Sequence, residues 1–169
     1  MKPGAVALVL ALVVPALPSS TLAQGSQTAI QQQDGVTIVR QNDSQAALVG
    51  VELVVHAGLD RQTVRQNGLA ALVAQTILQT PANAPGGSAP LERAVAAAGG
   101  SIRFSVDPDN VHFYVEALAQ DAPAVLALVR AAIAAPDFSP ATVNQARTAL
   151  ATHLAQSEQY SQYALQVGV

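Results

Sequence analysis

No cysteine and no tryptophan occur among the 169 residues, and lysine is confined to Lys2. The lack of cysteine rules out a disulfide framework, a thiol nucleophile and any thiolate-ligated metal, so stability has to come from apolar burial. With lysine gone, the remaining cations are arginines scattered along the chain. They form no basic stripe interleaved with aromatics, which removes nucleic acid from the partners to consider. Aromatics make up 4% and charged residues 11% of the chain, against 50% hydrophobic residues. That balance fits one globular domain with an aliphatic core and does not fit a disordered chain.

Part of the apolar excess sits at the N-terminus. Lys2 precedes an apolar run from Ala5 to Val14, Pro15 and Pro18 interrupt it, and Thr21 and Ala23 supply the small residues of a cleavage site. Residues 1–23 therefore read as a secretory signal peptide cut between Ala23 and Gln24, which places the mature chain in the periplasm or outside the cell. The other reading is a retained anchor, against which the run falls short of the ~20 residues that a membrane span needs. No later stretch is apolar for long enough to cross a bilayer. Residues 24–34 are polar and Gln-rich and read as a flexible lead-in. Residues 35–169 form the folded part.

Val36 to Arg40 reads as a strand, and Asn42-Asp43-Ser44 as a turn. In "AALVGVELVVHAG", Val49, Val51, Leu53 and Val55 share one strand face and Gly50, Glu52, Val54 and His56 the other. These two strands are expected to pair as a hairpin. From Gly68 to Leu78, the spacing of Leu69, Leu72, Val73, Thr76 and Ile77 predicts a helix with one buried stripe, N-capped by Asn67. "TPANAPGGSAP" reads as a loop. Leu91, Ala94, Val95 and Ala98 mark a short helix ended by Gly99. "SIRFSV" and "VHFYVEAL" are strands joined by the turn "DPDN", with Pro108 in its second position. Two helices follow. The first is capped by Asp121 and turns Val125, Leu128, Val129, Ala132 and Ile133 inward. The second is capped by Ser139, with Val143, Ala146, Arg147, Leu150 and Leu154 on one stripe. The order β-β-α-α-β-β-α-α predicts an α+β fold, an antiparallel sheet with helices packed on one face.

Groups that carry chemistry are sparse. His56, His112 and His153 are the histidines, and no two have the spacing of metal ligands in a motif. There is no G-x-S-x-G elbow for a nucleophilic serine. "DPDN" lacks the further acidic ligands of a calcium loop, and "NAPGG" lacks the Gly-Lys-Ser/Thr of a phosphate cradle. Beside the stripe of the 68–78 helix stand Ala71, Ala74 and Gln75, none of which can serve as base or nucleophile.

Four phrases, "VELVVHAG", "GLAALVAQTIL", "LERAVAAAGGSIRFSVDPDNVHFYVEAL" and "APDFSP", resemble in order and spacing the N-terminal domain of the pitrilysin/insulinase family of zinc metallopeptidases, the inverzincins. The resemblance runs from about residue 36 to residue 157. In that family Gly-Leu-Ala-His opens an inverted zinc motif, H-x-x-E-H, on a helix. Two histidines four apart share a helical face and grip one Zn²⁺, and the Glu takes a proton from the metal-bound water. A Glu on a later helix is the third protein ligand, and a Gly-Gly opens an edge strand that binds extended peptide. The resemblance implies that Ala71 stands at the first His position, Ala74 at the Glu, Gln75 at the second His and His153 at the third ligand. Alanine has no ligand atom, a neutral amide is a poor zinc ligand, and one imidazole alone holds zinc weakly. No H-x-x-E-H or H-E-x-x-H occurs anywhere in the chain. A degenerate member is implied, with no catalytic residue and no zinc held.

The element left with a binding role is the edge strand Ser101, Ile102, Arg103, Phe104 and Ser105, which would add a peptide strand through its main chain. Arg103 and Phe104 replace the small or amide residues usual in the family, and Phe104 is expected to narrow the cleft. The other reading has this edge covered by a partner subunit. The implied partners are a catalytic family subunit, or further domains missing from this chain, and unfolded peptides. The functional expectation is thus an exported, inactive homologue acting as a non-catalytic subunit or peptide-binding partner. Two alternatives stay open: an unrelated periplasmic binding or scaffold domain, and an active metallopeptidase with a rearranged zinc site using His153. Because the family's domain continues past the late helix, the chain reads either as a fragment or truncated product or as a minimal half that relies on association. Tyr160, Tyr163, Leu165 and Val167 are then expected to leave apolar surface uncovered, so that the isolated monomer behaves poorly.

Overall fold

The computed structural model describes residues 27–167 apart from 34, 44 and 85. The expected signal peptide and the side chains of Tyr160, Tyr163, Leu165 and Val167 lie outside the described residues. The chain divides into two compact units, residues 1–44 and 45–169.

In the first unit β1 (Gln27–Gln33) pairs antiparallel with β2 (Val36–Asn42), from Gln27 opposite Asn42 to Gln33 opposite Val36. This corrects two expectations. The Gln-rich lead-in holds a strand, and Val36 to Arg40 pairs with the segment before it instead of the one after. Strand pairing is a main-chain interaction that glutamines can support without apolar side chains. Asp34-Gly35 between the strands is a two-residue hairpin signal, and Gly35 takes φ +80°.

The second unit is built on a three-stranded antiparallel sheet. Its chain order is β3 (Leu48–Val55), α1 (Leu69–Gln79), β4 (Pro81–Ala84), β5 (Gly87–Pro90), α2 (Leu91–Ala97), β6 (Gly100–Val106), β7 (Val111–Leu118), α3 (Ala122–Ala134) and α4 (Pro140–Val167). The sheet order is β3-β7-β6, with Val51 opposite Val115 and Phe104 opposite Phe113. Along β7, Val111, Phe113, Val115 and Ala117 are buried while His112, Tyr114 and Glu116 alternate onto the other face. Against the buried face pack α1, α2 and α3, and α4 packs on α1. The fold is therefore α+β with its helices on one face of the sheet. The core joins Leu91, Val95 and Val125 to Ile102, Phe113, Ala74 and Leu78. The Pro/Gly-rich stretch expected to be a loop instead forms the β4–β5 hairpin, with Gly86 at φ +103°.

The stripe expected on α1 is displaced. Leu69 and Val73, read as buried, are 46% and 39% exposed, whereas Ala74, read as beside the stripe, is 1% exposed. Helix α1 touches β6, β7, α2, α3 and α4, so its burial does not follow one stripe. Thr76 is buried at no hydrogen-bonding cost because its hydroxyl donates to the Leu72 carbonyl at 2.7 Å. The N-cap of α1 is Gly68, at φ +88°, and not Asn67.

Other helix ends show similar shifts. Asp121 occupies the N-cap of α3 but makes no capping bond with its side chain. Its carboxylate lies against Gly99, where φ is +85° and an added Cβ would come 2.8 Å from Oδ2. The positive φ favours glycine there, and an added Cβ would in addition push the Asp121 carboxylate aside. On α4, Thr142 and Ala146 are buried, while Arg147 and Leu154, expected on the inner stripe, are exposed.

Asp137 organises the start of α4. Its carboxylate accepts from the Thr142 hydroxyl at 2.5 Å and from the Ser139 amide at 2.9 Å, and the Ser139 hydroxyl lies 3.1 Å away. The Thr142 hydroxyl, then the Ser139 amide, hold this carboxyl below its ordinary value of 3.8. A group lowered in the folded state stabilises above its unfolded value and loses that contribution as pH falls through the folded one. Asp137→Asn is expected to lower the urea midpoint at pH 7 and to match the wild type at a pH below the range in which the folded carboxyl titrates. An equal deficit at both pH values would show that charge is not what Asp137 contributes.

Candidate functional site

The positions that carry the resemblance lie on α1, beside the edge strand β6. Ala74 is in the core, Ala71 and Gln75 are half-buried, and His153 is exposed on α4. Their combined donor set is one amide and one imidazole, which does not fit a tetrahedral zinc site that needs three protein ligands and an open position. Among the described residues no three His, Asp or Glu side chains are placed to hold a metal ion, so the structure does not bring His56, His112 and His153 together as ligands. His56 lies past the end of β3 and is exposed.

His112 has a different setting, one that sequence reasoning missed. On the sheet face away from the helices, its Nδ1 lies 2.7 Å from Glu52 Oε1 on β3 and its Nε2 3.0 Å from Asp107 Oδ2 before the β6–β7 turn. The second contact has the distance of an ion pair but not the direction of a hydrogen bond, which leaves the buried Nε2 without a hydrogen-bond partner. The carboxylates sit on opposite ring nitrogens, so they cannot share one metal ion with the imidazole. The ring stacks on Tyr114, with centroids 5.9 Å apart and planes 8° from parallel. Arg103 lies over the same Tyr114 ring, its Cζ 5.2 Å from the centroid, and its Nη2 donates to Glu116 Oε1 at 3.1 Å. The signal was present in the sequence. The alternation of His112, Tyr114 and Glu116, folded back through a tight turn at "DPDN", sets Arg103 opposite Tyr114.

The expected edge strand is at an edge. Among the described residues β6 pairs only with β7. Ser101 and Arg103 are exposed, Phe104 and Ser105 half-buried and Ile102 buried. Phe104 joins the core margin, its ring 6.5 Å from that of Phe113. The hydrogen-bonding phase of β6 follows from the turn, where the Asp107 amide donates to the Asn110 carbonyl at 2.8 Å. Antiparallel ladders alternate, so Ser101, Arg103 and Ser105 bond to β7 while Ile102 and Phe104 direct their amides and carbonyls to the open edge. An apolar groove of about 290 Å³ between β4 and α3 is lined mainly by alanines, among them Ala124, Ala127 and Ala131, and holds no titratable group.

The fold is similar to those of solved structures. Pitrilysin superimposes with a TM-score of 0.68 at 23% identity, over 80% of this chain and 14% of its own. A protease from Helicobacter pylori superimposes with a TM-score of 0.63 at 12% identity, over 76% of this chain and 30% of its own. The chain thus spans less than a third of either protein, and identities this low speak for the fold alone. No curated protein matches the sequence. The insulinase family, peptidase family M16, matches residues 37–167, nearly all of both the sheet and the helices described above. On that match the chain belongs to the insulinase family.

Proposed function

We propose that this chain is an exported, non-catalytic insulinase-family domain that binds extended peptide along β6 and works beside a catalytic family subunit. The observation that carries this reading is the retained helix α1 with Ala71, Ala74 and Gln75 at the motif positions, Ala74 being packed into the core. Binding by main chain survives such a loss, because an unpaired strand edge needs no catalytic side chain to take up a peptide. The layout of residues 1–23 supports export, and an N-terminus at Gln24 is expected in chain recovered from outside the cytoplasm.

The test is to incubate the purified protein with one equivalent of zinc and an unstructured peptide. No stoichiometric metal after desalting, and no cleavage, is the expected result. Adding an intact family peptidase should then produce a complex on size-exclusion chromatography. Tight zinc uptake with hydrolysis, both abolished by His153→Ala, would overturn the reading and establish a rearranged active site.

A further inference from the structure

We propose that Arg103 makes the β6 edge selective for extended peptides carrying an acidic side chain, and that it does so from the outer face of the sheet. The inference rests on the reading that β6 takes up a peptide strand. It adds what that strand must present.

The phase of the ladder fixes the geometry. An antiparallel peptide added to β6 would exchange hydrogen bonds with Ile102 and Phe104, the residues whose main-chain groups face the open edge. The peptide residue between those two pairs then stands directly across from Arg103 in a non-hydrogen-bonded pair. Such pairs have the shorter Cα separation, about 4.5 Å, and bring side chains closest together. The pleat places this residue's side chain on the outer face, with Arg103.

Charge decides what fits there. Arg103 is the sole charged residue of β6, so it is the first charge an added strand meets. Of the acids of this face, Glu52 and Glu116 lie on β3 and β7, behind β6 as seen from the open edge, and Asp107, just past the end of β6, is turned to His112. Arg103 is also positioned in advance. Its guanidinium lies over Tyr114, Tyr114 stacks on His112, and Glu116 engages Nη2. A guanidinium has five N–H donors, and the Glu116 contact leaves others for a second carboxylate. The side chain is 59% exposed, so a carboxylate can reach it without displacing Glu116. A lysine opposite would meet a like charge, and a neutral residue would forgo the ion pair.

The test uses fluorescein-labelled unstructured peptides identical except for a central Glu, Gln or Lys, titrated against the full chain by anisotropy. The Glu peptide should bind about two- to five-fold tighter than the Gln peptide, the scale of an exposed cross-strand ion pair, with the advantage shrinking as salt rises. Arg103→Gln should erase the difference between the Glu and Gln peptides, and Arg103→Glu should turn the preference towards Lys. Binding with no dependence on the central charge overturns the role of Arg103 while leaving β6 as a peptide site. Binding of none of the peptides overturns both the role and the site. A preference that persists in Arg103→Gln assigns selectivity to another residue and also overturns the proposal.

Discussion

Ala74→Glu, which puts a carboxylate where the family resemblance would set the zinc motif's Glu, is expected to destabilise the protein by roughly 3–5 kcal/mol at pH 7. Ala74 is 1% exposed, within a core that includes Leu78, Leu91 and Ile102. A longer side chain has to displace that packing, and its carboxylate loses water without gaining a cation. Burial raises the pKa of a carboxyl, so the electrostatic part of the penalty is small in acid and grows as pH rises past the ordinary Glu value, about 4.3. Ala74→Gln keeps the steric part and the cost of burying a polar amide but carries no charge, so its deficit should not change with pH. Ala71→His and Gln75→His, at half-buried positions, should each cost about 1 kcal/mol or less. Urea denaturation of the four variants at pH 5 and pH 7 separates these contributions. A wild-type midpoint for Ala74→Glu would mean that position 74 opens freely to solvent, and the motif's acidic residue could then be replaced without rebuilding the core.

The contrast between these positions shows what periodicity can and cannot reveal. Spacing alone located α1 within a residue or two, because Leu69 to Leu78 has the composition of a helix. It did not identify the buried side. The hydrophobic-stripe argument assumes one face towards one core, whereas α1 is contacted from the sheet and from three other helices. Small residues such as Ala74 then go where packing is tightest, and larger ones such as Leu69 and Val73 are left at the margin. The β6–β7 hairpin was legible because its strands alternate and its turn has Pro108 in a favoured position. Polar β1 and the Pro/Gly-rich β4–β5 hairpin were not, since strand pairing uses main-chain groups whose signal in those segments is the turn dipeptide, not hydrophobicity. The candidate site divides the same way. The assignment of Ala71, Ala74 and Gln75 to the motif positions comes from the resemblance, which the linear sequence carries by itself. The row from Arg103 through Tyr114 to His112 depends on register, which needs both strands and the turn together.

Gly58→Ala should cost about 3 kcal/mol, for a reason no helix or strand pattern contains. The turn joining β6 to β7 docks onto the segment after β3 through three main-chain hydrogen bonds. Gly58 donates to the Asp109 carbonyl at 3.1 Å, Leu59 to Asp107 at 3.1 Å and Asp60 to Pro108 at 2.8 Å. Gly58 has an ordinary φ of −74°, so conformation does not demand glycine there. Space does: an added Cβ would lie 2.4 Å from the Asn110 nitrogen, the Asp109 carbonyl carbon and the Pro108 oxygen. These are main-chain atoms of a turn, with no side-chain rotamer to relieve the clash, so the docked segments must separate. Separation puts three hydrogen bonds at risk, each worth about 1 kcal/mol net. It also disturbs the turn that carries Asp107 towards His112 and the segment that leads into α1. Gly50→Ala is the matching control, because nothing lies within 4 Å of its added Cβ and its φ is not positive. That variant should remain within about 0.5 kcal/mol of wild type. Hydrogen exchange adds a local readout, in which the Leu59 and Asp60 amides lose protection in Gly58→Ala and keep it in Gly50→Ala. Equal stabilities for the two variants, with both amides still protected, would show that the turn yields without leaving its dock.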